Sequence, residues 1–450
     1  MKASKFEAGR SFAESDSKHS HTPGIAKFIS SVTASIIMDS EGGENSETKS
    51  KEGKGIYQKF AGYLSDVHTF ALEMGSSSSS DAVALHGRSK KMAIGNSEGQ
   101  ILLVSTTPHE EEIIQHFDFG ESVSGVCLSS DGLKFAACGA VGSVIVFDIL
   151  TGCQNFCHAA PSRLMDVVFG GMDANDSSCI AFGGHAKQFE LVNYSEGQRM
   201  HAFPASADVQ SVSLSADGTR MAIGKTDQNG PASCKIVQTA TAKVYRKWTA
   251  ADMKTIYSVD LSRSGRMVAY AGYGSVVWVR SVDADELLLE HRFTQLEGSE
   301  GPTFIWSVAF SGDESRFAAS CWSGEVIIWS TKTWEPICTS IKRPGVRVFS
   351  IALARDGSEI LVGSRDGNAI LYGLPHDDDD RRDVVILFQA VFPDRVYSVA
   401  ISDRYFALAG MNSSVHLYKR LNVAKIKKDD GSVSPRTDAP AEGAAAVPIG

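Results

Sequence analysis

The stretch SVSLSADGTRMAIG, Ser211 to Gly224, reads as a short strand, a polar turn and a second strand, and it recurs along the chain. SVDLSRSGRMVAYAG from Ser258, SVAFSGDESRFAAS from Ser307 and SIALARDGSEILVG from Ser350 carry the same order of apolar and turn-forming residues. The apolar residue before the turn falls at Leu85, Leu128, Phe169, Leu214, Leu261, Phe310, Leu353 and Ile401, at spacings between 41 and 49 residues. A fixed period of this size marks a chain of stacked units rather than separate domains. Within a unit the apolar period is two, as in Val212 with Leu214 or Val308 with Phe310, which suits a strand and not a helix. A third strand follows a glycine turn, as in GSVIVFDI from Gly142 and GEVIIWS from Gly324. A more polar fourth segment closes the unit, as in KVYRKWTA from Lys243 and ELLLEHRF from Glu286. The expectation is an all-β chain of eight four-stranded antiparallel units.

Composition agrees with that reading. The 450 residues are 43% hydrophobic and 22% charged, with 41 Gly against 13 Pro, enough to bury a large core and to make many tight turns. The 44 Lys and Arg against 53 Asp and Glu leave a formal charge of -9, so no broad basic field exists to neutralise phosphates, and nucleic acid is not an expected partner. Apolar runs such as Val384 to Phe392 are too short for a membrane-spanning helix. The opening MKASKFEAGRSFAESD has no apolar signal core. The eight cysteines (127, 138, 153, 157, 179, 234, 321 and 338) form no paired framework and sit mostly in strand-like runs, as reduced thiols would. A cytoplasmic compartment is expected, with the nucleus as the alternative.

The repeats resemble the WD-repeat (WD40) family, whose unit forms one four-stranded blade of a β-propeller. The resemblance spans about Leu72 to Arg420 and rests on the shared order of strand, Asp-Gly turn, strand, Gly, strand. The signature dipeptides are eroded: Phe147-Asp148 is nearest to a terminal Trp-Asp, Trp329-Ser330 keeps the Trp, and Gly184-His185 is the sole Gly-His. Packing therefore carries most blades. The eighth unit lacks a fourth strand after SSVHLYK, and the segment HTFALEM from His68 is available to fill it, so a strand from the N-terminal side is expected to close the ring. Eight blades follow from the count of units; seven is the alternative that the family resemblance implies. The propeller is assigned to residues 56–421, with tails at 1–55 and 422–450 too poor in large apolar groups to order on their own. Within the first tail, residues 24–38 have the apolar spacing of a short amphipathic helix.

Several motifs invite chemistry. Gly95-Asn96-Ser97-Glu98-Gly99 matches a nucleophile-elbow pattern, yet it lies between two strands where other units place a glycine turn, so a turn is the expected reading. Cys153, Cys157 and His158 lack the spacing for haem attachment and a second ligand pair for zinc. Asp377 to Asp380 lack the alternation of a calcium loop and read as a solvated loop. Neither a metal nor a cofactor is called for. Asp166 and Asp260 fall at or near the serine position of the innermost strands and offer a polar channel as the setting for a competing function, a propeller enzyme or small-ligand sensor, although no shared constellation repeats.

The most informative lateral feature is an aromatic residue at one strand position of four consecutive units: Tyr257, Trp306, Phe349 and Tyr397. The earlier units place Ser124, Met165 and Gln210 there, so one half of the ring differs from the other. Packing between blades is the first explanation, and a partner-binding surface near one mouth of the channel is the second. Because no nucleophile, base and orienting group assemble in the sequence, the expected role is a non-enzymatic scaffold that binds other proteins.

Overall fold

Alternating apolar residues turn each repeat into a strand that must bury both faces, and the solution is eight four-stranded antiparallel sheets set side by side. The computed structural model describes residues 67–68 and 80–420 except 87–89, 106–112, 130, 171–178, 186–187, 194–197, 205–208, 227–229, 252, 295–303, 339–340, 344, 377–382, 393–394 and 411–414. The expected tails, the helix over 24–38 and the domain limits at 56 and 421 lie outside the described residues. No helix occurs among the described residues, and so none that is long and apolar enough to cross a membrane.

The innermost strands, in chain order, are Ser80–His86, Val123–Leu128, Leu164–Gly170, Val209–Leu214, Ile256–Leu261, Ile305–Phe310, Val348–Leu353 and Val396–Ile401, and they define blades one to eight. Each packs on the innermost strand of the next blade, and the first packs on the eighth, so the sheets close into an eight-bladed β-propeller around a central channel. Blade eight takes its outermost strand from the N-terminal side: Val67 pairs with Tyr418 and His68 with Leu417. The pairing begins one residue before the HTFALEM segment. Met92 and Ile94 of blade one also share a buried cluster with Tyr405, Ala407 and Leu417 of blade eight, so the closing seam is packed like the others.

One irregularity repeats in all eight blades. Pairing between innermost and second strand slips after the first residue, between Val209 and Ser211 in blade four and at the matching place elsewhere. A bulge of this kind adds one residue to one strand and breaks the alternation of faces. Val209 and Val212, three apart, therefore both face the preceding blade, in a cluster with Ala181 and Leu191 of blade three. Ile256, Val259 and Leu261 likewise meet Cys234, Ile236 and Trp248 of blade four.

The first residue of each innermost strand needs space in the blade before it. Glycine on the second strand supplies that space: a Cβ at Gly224 would lie 2.6 Å from Ile256 Cγ2, and one at Gly183 would lie 2.7 Å from Val209 Cγ1. Part of the glycine excess is thus located within strands, not only in turns. In the turns between first and second strands, Ser215 Oγ donates to Asp217 Oδ1 at 2.6 Å and accepts from Arg220 N–H at 3.0 Å, with Gly218 left-handed at φ 66. Glu314 takes the matching left-handed position in blade six at φ 63, and its carboxylate reaches across to the backbone N–H and hydroxyl of Ser264 in blade five.

Arg420 closes the described chain by donating from Nε to Glu359 Oε2 of blade seven at 2.8 Å and from a terminal nitrogen to Ser402 O at 2.6 Å. Both partners of the ion pair are almost entirely buried. Substituting Arg420→Ala strands the Glu359 carboxylate and is expected to cost about 3 kcal/mol in a urea melt, with Glu359→Gln recovering part of the loss. Gly224→Ala is expected to cost about 1–3 kcal/mol by overpacking. In a double-mutant cycle, Ile256→Ala should destabilise the Gly224→Ala protein less than the parent, as two groups in contact require.

Candidate functional site

The bulge leaves one residue of each innermost strand unpaired and turned toward the end of the ring where that strand begins. In blades five to eight these residues are Tyr257, Trp306, Phe349 and Tyr397. They belong to none of the eight buried clusters. Instead they meet one another across blade boundaries. Ring centroids lie 5.1 Å apart for Tyr257 and Trp306, 6.2 Å for Trp306 and Phe349, and 5.3 Å for Phe349 and Tyr397. Trp306 is 38% exposed and the other three are partly buried. These ring contacts are packing between blades, the first explanation given above for the four aromatics.

Two further positions converge on the same end. The residue before each innermost strand and the first residue of the turn between second and third strands are joined by a backbone bond, as in Trp322 N–H to Phe304 O at 2.7 Å and Arg365 N–H to Arg347 O at 2.8 Å. Blades five and six place Tyr273, Phe304 and Trp322 here. Phe304 meets Tyr273 at 4.9 Å and Trp322 at 5.5 Å, and Trp322 meets Trp306 at 5.6 Å. Blades seven and eight place Arg347, Arg365 and Arg395. The Arg347 guanidinium lies 4.0 Å over the Trp322 ring, and Arg395 donates to the Tyr397 hydroxyl at 3.3 Å. Sequence reading missed these six residues. Their positions keep the repeat's period, six residues before an apolar anchor for Phe304, Arg347 and Arg395 and twelve after one for Tyr273, Trp322 and Arg365, but the residue type there changes from blade to blade and so does not mark them.

Arg347 is held below the usual arginine range by burial first and then by the neighbouring charges of Arg365 and Arg395. The nearby Asp366 is taken by Arg343, which bonds it and also the Ser364 hydroxyl at 2.9 Å. Burial, and next the Tyr273 hydroxyl, raises the Tyr257 phenol above its ordinary value.

The channel wall has a different task. The outer edge of an innermost strand pairs within its blade, but its other edge faces the channel with unpaired N–H groups. Side chains from the preceding blade cap them. Val212 N–H donates to Asp166 Oδ2 at 3.1 Å, Val259 N–H to Ser211 Oγ at 3.3 Å and Val308 N–H to Ser258 Oγ at 3.2 Å. Ile351 N–H then reaches Ser307 Oγ at 3.4 Å and Val399 N–H reaches Ser350 Oγ at 3.3 Å. Two residues further along the strand, Leu261 N–H donates to Ser213 Oγ at 3.0 Å, and Phe310 N–H to Asp260 Oδ2 at 2.8 Å. Asp166 and Asp260 thus occupy two registers of one belt of caps. They are half-buried by exposed surface yet ringed by protein, and desolvation raises each to about 6 against the lowering effect of these hydrogen bonds. They do not converge on a reactive centre, and among the described residues no three His, Cys, Asp or Glu side chains come together as a metal site.

The other motifs resolve as structure. Gly95 and Asn96 end the strand Lys91–Asn96 and residues 97–99 turn into Gln100–Ser105, with Asn96 Oδ1 accepting from Gln100 N–H at 2.7 Å and Gly99 at φ 86. Cys153 and Cys157 are exposed free thiols, and none of the eight cysteines forms a disulfide. His158 lies 3.4 Å from Glu190 and against the Phe182 ring at 5.6 Å. Asp377 to Asp380 lie outside the described residues.

Comparison with known proteins matches this geometry. Residues 291–330, from the outermost strand of blade five through the third strand of blade six, match the family model described as "WD domain, G-beta repeat". That span contains Trp306, Trp322 and the buried Trp329. Among solved structures, the C-terminal WD40 domain of Sif2 superposes with a TM-score of 0.63 at 13% identity, over 79% of this chain and 99% of that one. Sqt1 of Saccharomyces cerevisiae gives 0.63 at 13%, over 79% and 98%. The computationally designed Ika8 protein gives 0.61 at 13%, over 78% and 98%. At such identities the likeness is one of fold. No curated protein sequence matches the chain significantly.

Asp166 yields a pH-dependent expectation. An aspartate with a raised folded-state value binds its proton more tightly when folded, so its stabilising contribution is complete below about pH 4 and is lost as pH rises through about 6. Asp166→Asn keeps an oxygen for Val212 N–H without the charge. It should therefore match the parent near pH 4 and exceed it by about 1–2 kcal/mol at pH 7, after discounting for water in the channel, in parallel denaturant melts. Asp166→Ala should be destabilised at pH 4 by about 1–3 kcal/mol through the orphaned N–H.

Proposed function

We propose that this chain, an eight-bladed propeller in which residues 291–330 match the WD-domain model, is a non-enzymatic scaffold that binds partner proteins through the aromatic end of blades five to eight. WD-repeat propellers generally serve protein interaction rather than catalysis, and the likeness to them supports the coarse assignment. The finer assignment to Tyr257, Trp306, Phe349 and Tyr397 rests on one observation: a run of stacked, partly exposed rings at positions the blades do not need for their own packing. Aromatic side chains of this kind supply large contact area at small entropic cost. The channel carboxylates already serve as backbone caps, which favours the scaffold over a channel enzyme or ligand sensor. Eight cysteines outside any disulfide suit a cytoplasmic site of action, or a nuclear one. The overall charge of -9 argues against nucleic acid as the partner.

Affinity purification from cells with the intact chain tests the reading. Trp306→Ala and Phe349→Ala should each keep the parent melting behaviour and lose a defined subset of captured proteins, by about tenfold or more for a partner anchored there. Unchanged capture by folded variants would remove the aromatic end as the docking surface. Loss of folding would instead assign the rings to stability, and Trp306→Phe, which keeps a ring in place, would then separate the two roles.

A further inference from the structure

The same end divides into two chemistries, and their arrangement specifies a partner. On blades five and six, five rings cluster: Tyr257, Tyr273, Phe304, Trp306 and Trp322. On blades seven and eight, Arg347, Arg365 and Arg395 flank the Phe349 and Tyr397 pair. Resting on the docking surface proposed above, we infer that this surface takes an extended acidic segment of a partner protein, whose carboxylates lie along the arginines of blades seven and eight while an adjacent aromatic or branched aliphatic side chain lies on the rings of blades five and six.

Three observations carry this. First, like charges have been brought together: the charged neighbours of Arg347 are Arg365 and Arg395, while Asp366 is bound to Arg343. Mutual repulsion of this kind is relieved by an anion from outside. Second, Arg347 uses the face of its guanidinium on Trp322, and among the described residues no hydrogen bond takes up the side-chain donors of Arg347 or Arg365. A planar guanidinium stacked through its face keeps its edge for a carboxylate. Third, the arginines of blades seven and eight stand against a net charge of -9 for the chain, so an acidic segment meets attraction here that the chain as a whole does not offer.

The interleaving of arginines with Phe349 and Tyr397 suits carboxylates spaced along an extended chain better than a single dense anion. A cationic ligand, which exposed aromatic clusters alone would suit, is disfavoured by the three guanidiniums. A polynucleotide would need a longer cationic track than two blades supply.

The test is fluorescence anisotropy of short labelled peptides with the full chain. One peptide alternates Glu or Asp with Leu and Trp. Its controls replace the acidic residues with Gln, with Lys, or with phosphoserine, or replace the apolar residues with Ser; a labelled single-stranded oligodeoxythymidine is the last. The acidic, apolar peptide should bind at least about tenfold more tightly than the Gln, Lys and Ser controls, and its affinity should fall severalfold when salt is raised well above about 0.15 M. Arg347→Gln with Arg365→Gln, and separately Trp306→Ala, should each weaken it by about tenfold, whereas Arg263→Gln, in an exposed turn at the opposite end of the ring, should not. Equal binding of the Glu and Gln peptides, undiminished binding by the folded arginine variant, or preference for the oligonucleotide would each overturn the inference. Binding of the phosphoserine peptide alone would overturn the choice of carboxylates. If Trp306→Ala loses cellular partners but no peptide binds, the inference fails and the docking surface stands. If that variant retains every partner, the docking surface itself fails.

Discussion

A one-residue bulge near the start of each innermost strand organises this propeller. Without it, the strand would present alternate residues to alternate sides, and the apolar residues three apart that seal each blade onto its predecessor would point opposite ways. With it, Ile256 and Val259 enter the same cluster, Ser258 is aimed at the following blade, and Tyr257 is left out of both. The glycine opposite, Gly224 in the preceding blade, is the matching requirement, because the first apolar residue of the strand sits where a Cβ would be. Inter-blade packing, channel capping and the outward display of side chains follow from that single shift.

The channel caps answer a second constraint that the architecture creates for itself. A ring of innermost strands has one hydrogen-bonding edge with no strand to pair it, and burying such groups without partners costs about 1–3 kcal/mol each. Serine hydroxyls at Ser211, Ser258, Ser307 and Ser350 accept those protons at little desolvation cost. Asp166 and Asp260 do the same work at greater expense, since each brings a charge that the surroundings push toward neutrality. Carboxylates lining a propeller channel are therefore not, by position alone, evidence of chemistry.

The order of strands was legible because apolar anchors such as Leu214 and Leu261 recur with the period, and the eight-unit count follows from them. The closing strand was legible as a need, since the last unit lacks one, although pairing starts at Val67 rather than His68. The bulge was not legible, because alternation in Val212 and Leu214 resumes after it and gives no sign of the slip before. For the same reason Tyr257 looked like a face-mate of Val259. The glycines of strands two were misplaced into turns, since a glycine at a strand end is silent about whether it bends the backbone or makes room for a neighbour. The rest of the docking surface, Tyr273, Phe304, Trp322 and the three arginines, flanks the strands at positions that keep the period but change residue type from blade to blade, so no repeated residue marks them.

The bulge position also supplies the strongest argument that the aromatic end has a role apart from the fold. Blades two, three and four hold Ser124, Met165 and Gln210 there and still make the same pairing, the same slip and the same buried clusters. A serine suffices for the propeller. Four consecutive large rings at a position that tolerates serine bring partly exposed apolar surface that a folded chain gains nothing by displaying to water. Stacking among the rings offsets some of that cost, at about 0.5–1.5 kcal/mol per pair, but stacking exists only because all four are present and does not explain why any is. What distinguishes blades five to eight from the others is therefore not how they fold but what they present.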